Sequence, residues 1–117
     1  MAAHKVSEIK FTIELDEQNI PEKMNWQASD GDDRAHDCNA IMLSIWDRAE
    51  QNTLRIDLWT KDMRVDEMDN HFIQSLLLMA ESYQRATKNP FVTEEMKRFC
   101  KSLVKQISEY EQARNQS

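Results

Sequence analysis

The chain has 117 residues, of which 40% are apolar and 31% charged, and carries a formal net charge of −6; that length suits one domain with a core needing no staples, and that balance is globular rather than disordered. The negative charge argues against nonspecific binding to nucleic acid or anionic membrane. One glycine, Gly31, cannot build a Rossmann fingerprint, a P-loop or a nucleophile elbow, and no apolar run approaches the ~18 residues of a membrane span.

The N-terminal "MAAHKVSEIKF" lacks the apolar stretch of a secretory signal, so the expected location is the cytoplasm. Cys38 and Cys100 are too few and too far apart for a disulfide framework or a zinc site, and read as small packers or surface thiols.

"VSEIKFTIEL" alternates, with Ile9, Phe11, Ile13 and Leu15 on one side and Glu8, Lys10, Thr12 and Glu14 on the other, which predicts a half-buried strand. After the polar "DEQNIPEK", the segment "MNWQA" puts Met24, Trp26 and Ala28 on one face of a short second strand. "SDGDDRAHD" is an acidic loop whose Asp-Gly pair favours a tight turn. "CNAIMLSIW" is apolar on both faces, Ile41, Leu43 and Ile45 against Ala40, Met42 and Trp46, the pattern of a strand covered on two sides. "DRAEQN" is a second turn, and "TLRIDLW" a fourth strand with Leu54, Ile56 and Leu58 opposite Arg55, Asp57 and Trp59.

From about Asp66 the period becomes helical. Met68, Phe72, Leu76, Met79, Ala80 and Tyr83 form a stripe widened by Ile73 and Leu77, with Asp66 and Asp69 suited to the N-cap and first turn. A second helix is expected from Thr93 as N-cap, with Met96, Phe99, Cys100, Leu103, Val104, Ile107 and Tyr110 as its stripe and a fraying tail. The expected fold is α+β: a four-stranded antiparallel β-meander followed by two C-terminal α-helices packed on one face. It forms a single domain over 1–117, with a flexible tail from about 112. Leu54, Ile56 and Leu58 should then face the helices.

Candidate chemistry is sparse. A calcium loop beginning at Asp30 would need a ligand at Arg34, a glycine at Ala35 and a bidentate carboxylate at Ile41. Metal ligation by His36, Asp37 and Cys38 is opposed by divergence of adjacent side chains in extended chain. Glu67 and His71, four apart, suit a surface pair rather than a two-histidine metal helix. Asp57, Asp62 and Asp66 lack a recognisable catalytic context, as do Ser44, Ser75 and Ser102, so no catalytic, cofactor-binding or metal residues are assigned and the chain reads as a non-enzyme. Met68, Met79 and Met96 sit at core spacing. The exception is the face shared by Met42, Trp46, Arg55, Asp57 and Trp59, where tryptophan and methionine suggest a protein-binding surface. Its candidate occupants are a partner protein or a second copy of the chain.

The segments "AIMLSIWD", "NTLRIDLWTKDM", "VDEM", "LLLMAESYQRAT" and "MKRFC", with "ELDEQNIPEKMNW" before them, resemble the gliding-motility protein GldC family over residues 6–100. Arg64 stands where that family tends to have proline, a change affecting helix entry. The resemblance implies a small cytoplasmic protein, accessory to a cell-envelope motor and secretion apparatus. Its partners would then be proteins of the gliding or secretion machinery, in keeping with a charge and hydropathy that argue against nucleic acid and direct membrane insertion, and it supplies no catalytic residues. The rival reading from another class is a cytosolic chaperone-like or adaptor domain that binds exported or unfolded chains through the same Met/Trp surface.

Overall fold

A computed structural model describes residues 4–116. In chain order the elements are β1 (Ile9–Leu15), β2 (Pro21–Ala28), β3 (His36–Cys38), β4 (Ala40–Asp47), β5 (Asn52–Trp59), α1 (Val65–Thr87) and α2 (Pro90–Gln116). The class is α+β, with all strand pairs antiparallel and the two helices last. The chain divides into two compact units, one ending at Met63 and the other beginning at Arg64.

The strands do not make the expected single four-stranded meander. They form a three-stranded sheet, β1-β2-β3, and a two-stranded sheet, β4-β5. The difference lies at Asn39. The predicted third strand is there interrupted by a bend, so that His36–Cys38 pairs with Trp26–Met24 while Ala40–Asp47 pairs with β5. Polar bonds hold the bend. Thr60 is 1% exposed, its N–H donates to the Asn39 carbonyl at 2.9 Å, and its Oγ1 accepts from Asn39 Nδ2 at 3.0 Å. The same hydroxyl donates to Asp62 Oδ1 at 2.6 Å. A buried threonine is tolerated because its donors and acceptors are used.

The alternation predicted for β1 and β2 matches the observed register. Ile13 lies opposite Met24 and Phe11 opposite Trp26, so the apolar set shares one face. Met24 is buried at 1% exposure at the centre of this sheet, between Ile13 and Cys38. The turn before β2 is built by Asp16, whose Oδ1 accepts from the N–H groups of Gln18 and Ile20, with Asn19 in the left-handed region at φ 63°. In the acidic loop the left-handed residue is Asp33, at φ 60°, and not Gly31. Gly31 instead donates its N–H to the Ala28 carbonyl.

In the second unit, α1 and α2 form a hairpin whose seam runs through Ile73, Leu76 and Ala80 on one helix and Thr93, Met96, Cys100 and Leu103 on the other. Ala80 and Cys100, 0% and 1% exposed, are small enough to let the helices approach closely. The predicted stripes are wider than this seam: Phe72, Met79, Phe99, Val104 and Tyr110 are exposed rather than core.

Two helix starts also differ from expectation. Asp66 is not the cap of α1. Arg64 occupies that position, and Glu67 reaches back to accept its N–H at 3.1 Å, while Asp66 pairs with the Arg64 guanidinium. For α2 the start is Pro90 rather than Thr93. Asn89 Oδ1 accepts from the N–H groups of Phe91 and Val92, the proline needs no partner, and Thr93 is buried inside the first turn. α2 then continues to Gln116, through the segment expected to fray. Among the described residues no helix is long and apolar enough to cross a membrane.

Candidate functional site: the β4-β5 hairpin

Asp47 starts the turn that joins β4 to β5. Its Oδ2 accepts the Glu50 N–H at 2.7 Å, its carbonyl accepts the Gln51 N–H, and Gln51 takes the left-handed conformation. This fixes the register: Met42 faces Asp57, Ser44 faces Arg55, Trp46 faces Thr53 and Ala40 faces Trp59. Residues opposite one another in an antiparallel pair point to the same side. Met42, Trp46, Arg55, Asp57 and Trp59 therefore share one face of this sheet.

They do not form one continuous apolar patch. Trp46 and Trp59 lie at opposite ends of the ladder, six residues apart in register, or about 20 Å at strand spacing. The direction of pairing sets this distance: the strands run opposite ways, so the end of β4 meets the start of β5. Between the tryptophans is a polar centre. Arg55 forks onto Asp57 through Nη2 to Oδ1 at 2.5 Å and Nε to Oδ2 at 3.3 Å, and its Nη1 donates to Ser44 Oγ at 2.5 Å. The bond to Asp57 holds Arg55 still more firmly in its charged form. Both rings are open to solvent, Trp46 at 63% and Trp59 at 53% exposure, and Met42 is half-buried diagonally from Trp59.

The opposite face carries Ile41, Leu43 and Ile45 against Leu58, Ile56 and Leu54. It is buried only near the bend, where Ile41 is 7% exposed. Ile45, Leu54 and Ile56 are about half exposed, so the expectation of a wholly covered face fails toward the turn. This hairpin thus presents apolar side chains on both sides.

Elsewhere several ionisable groups hold local structure. Asp32 accepts from the Arg34 N–H and side chain and lies 3.0 Å from His36 Nε2. The Arg34 main-chain bond, then the His36 contact, lower its carboxyl from 3.8 to about 2. His36 stacks on Trp26, ring centroids 4.8 Å apart. The neighbouring Asp37 points to the other side of β3, as strand alternation requires. Among the described residues no three His, Cys, Asp or Glu side chains gather as a metal-ligand set. Glu67 does not pair with His71: it caps α1, and His71 Nε2 is buried without a hydrogen-bond partner.

Lys61 is a residue that pattern-reading did not single out for this role. Its ammonium bridges Asp16 at 3.1 Å and Glu22 at 3.2 Å, and these two bonds raise its pKa. Long-range pairing of this kind leaves no trace in local spacing. The charges of "DLWTKD" show a polar strand end but do not name the partners of Lys61.

A family model described as "Gliding motility-associated protein GldC-like" matches residues 21–109. No curated protein and no solved structure matches the chain.

Proposed function

Because the chain belongs to the GldC-like family of gliding motility-associated proteins, we propose that it is a non-enzymatic accessory of bacterial gliding motility that works in the cytoplasm through protein–protein contacts. The β4-β5 face is its contact surface, with Met42, Trp46 and Trp59 as apolar anchors and Arg55 and Asp57 as the polar centre that sets orientation. The observation that carries this reading is the exposure of two tryptophans on one face of the hairpin. Large aromatic rings at 63% and 53% exposure cost solvation that burial against a partner recovers. The Arg55–Asp57 fork, already paired and half-exposed, fits a surface that stays hydrated until a partner arrives.

The partners proposed are proteins of the gliding or secretion machinery. The test is a photo-reactive residue placed at Thr53, the exposed position opposite Trp46. In cells, it is expected to capture a small, reproducible set of envelope-machinery proteins, and capture should fall when Trp46 and Trp59 are both serine. Capture of many unrelated or newly exported chains would instead favour a chaperone-like adaptor. Capture of nothing would remove this face from the account.

A further inference from the structure

We infer that β1 pairs edge to edge with β1 of a second copy of the chain, antiparallel and centred on Thr12. β1 stands at one end of the order β1-β2-β3, so its other edge lies outside the sheet. The Ser29 N–H donates to the carbonyl of Glu8, one step beyond the Ile9–Ala28 pair. Alternation then turns the main-chain groups of Lys10, Thr12 and Glu14 toward β2 and those of Ile9, Phe11, Ile13 and Leu15 outward. Among the described residues no hydrogen bond outside the β1-β2 ladder reaches the main chain of residues 9–15, and β2 is the element packed along this strand. The irregularity at Glu14 and Leu15 puts its extra residue, Glu22, on β2, so the outer edge of β1 is uninterrupted.

The strand "IKFTIEL" is complementary to itself about its midpoint. Two-fold pairing sets Thr12 against the second copy's Thr12, Phe11 against its Ile13, Lys10 against its Glu14 and Ile9 against its Leu15. Phe11–Ile13 and Ile9–Leu15 carry the outward groups, so each pair exchanges both hydrogen bonds. Lys10–Glu14 and Thr12–Thr12 fall at the non-hydrogen-bonded positions, where Cα atoms approach to about 4.5 Å and side chains meet most closely. Opposite charges thus face one another twice by symmetry. Among the described residues neither Lys10 nor Glu14 has an ion-pair partner within its own chain. Ile9 and Leu15, both more than half exposed, cover each other across the junction.

Other registers fail. Centring on Lys10 or on Glu14 opposes each charge to itself, and centring on Phe11 brings Glu8 against Glu14. Centring on Ile13 runs Ile9 into the turn that follows Leu15. A shift that mixes odd and even positions sends the apolar sets to opposite faces. A lysine on an edge strand ordinarily blocks pairing, and here Glu14 answers it in the register that uses all of β1. Pairing ends at Leu15, because Asp16 is bonded into its own turn and to Lys61. The outer edge of β5 differs: Ile20 and Pro21 border Asp57, Leu58 and Trp59, and the Pro21 carbonyl accepts the Lys61 N–H. The product is a continuous sheet, β3-β2-β1-β1-β2-β3, with the apolar faces of both copies on one side. It rests on the β1 edge rather than on the tryptophan face. A dimer would stand if partner capture failed, and capture would stand if the chain were monomeric.

Sedimentation of the full chain over a concentration series is expected to show a reversible dimer. Lys10→Glu should weaken self-association by about tenfold or more, because both symmetric pairs then oppose like charges. The exchange Lys10→Glu/Glu14→Lys should restore it. Thr12→Cys, at an exposed position on the two-fold axis, should give a covalent dimer under mild oxidation. Lys10→Cys should not, since it lies about 13 Å along the strand from its own copy. The parent, with Cys38 and Cys100, is the oxidation control. If a charge variant loses its circular-dichroism signature, the two cysteine variants carry the test. A monomeric parent at every concentration overturns the inference. So do a Lys10→Glu variant that dimerises like the parent, a folded double exchange that stays weakened, or equal cross-linking through positions 10 and 12.

Discussion

At the scale of single residues, the acidic loop turns on Asp32. Spacing around it first suggests, then excludes, a calcium site, and the structure gives the carboxylate a different task. It accepts the Arg34 N–H, the Arg34 guanidinium and the contact from His36, which stacks on Trp26. These bonds favour the charged form and pull the pKa to about 2, and Asp16 is lowered too, chiefly by the Ile20 N–H. A carboxylate depressed in the folded state adds stability above its unfolded pKa and loses it as pH falls through the folded one. Stability should therefore decline as pH drops from about 4 toward 2, and Asp32→Asn should flatten that decline. Unfolding followed by tryptophan fluorescence across this range tests it, and an identical pH profile in the variant would refute the assignment. None of this was legible in the sequence beyond the presence of a polar turn, because side-chain-to-backbone bonds in loops follow no period.

At the scale of elements, the strands were legible wherever side chains alternate, and less so where the chain bends. The faces read for "TLRIDLW" and "CNAIMLSIW" are the observed ones, since a period of two fixes which residues point together. β3 was missed because three residues, His36–Cys38, are too few to display a period and sit inside an acidic run. The start of α2 shows two signals in competition. "TEE" looks like a cap with an acidic first turn, but "NP" four residues earlier supplies both a side-chain acceptor and a residue that needs none. Asn89→Ala should therefore destabilise the helical hairpin by about 1 kcal/mol, while Asn89→Asp should retain most of the stability. Chemical denaturation would measure both. An unchanged midpoint for Asn89→Ala would mean that Thr93, bonded to the Asn89 carbonyl and to Gln84 Oε1, holds the turn alone.

At the scale of the whole molecule, periodicity says which residues share a face but not what covers the face. That is why the class, the two C-terminal helices and the two sides of β4-β5 could be read in advance, while the extent of burial could not. Leu54, Ile56, Phe72 and Phe99 all belong to apolar stripes, and all are about half exposed. The family resemblance read from the central run agrees with the match over residues 21–109. It places the chain among gliding motility-associated proteins without assigning chemistry to any side chain. The account of function accordingly rests on a surface, the face bearing Trp46 and Trp59, rather than on a reactive group.

The most direct measurement is the rate at which cells spread over a surface when their only copy of the chain carries Trp46→Ser and Trp59→Ser. Both side chains are more than half exposed, so the variant is expected to fold and to accumulate at the parental level, checked by circular dichroism and by immunoblot. Spreading should then fall to the rate of cells lacking the chain altogether. Parental spreading by cells holding the folded double variant would contradict the claim that this face is where the protein acts.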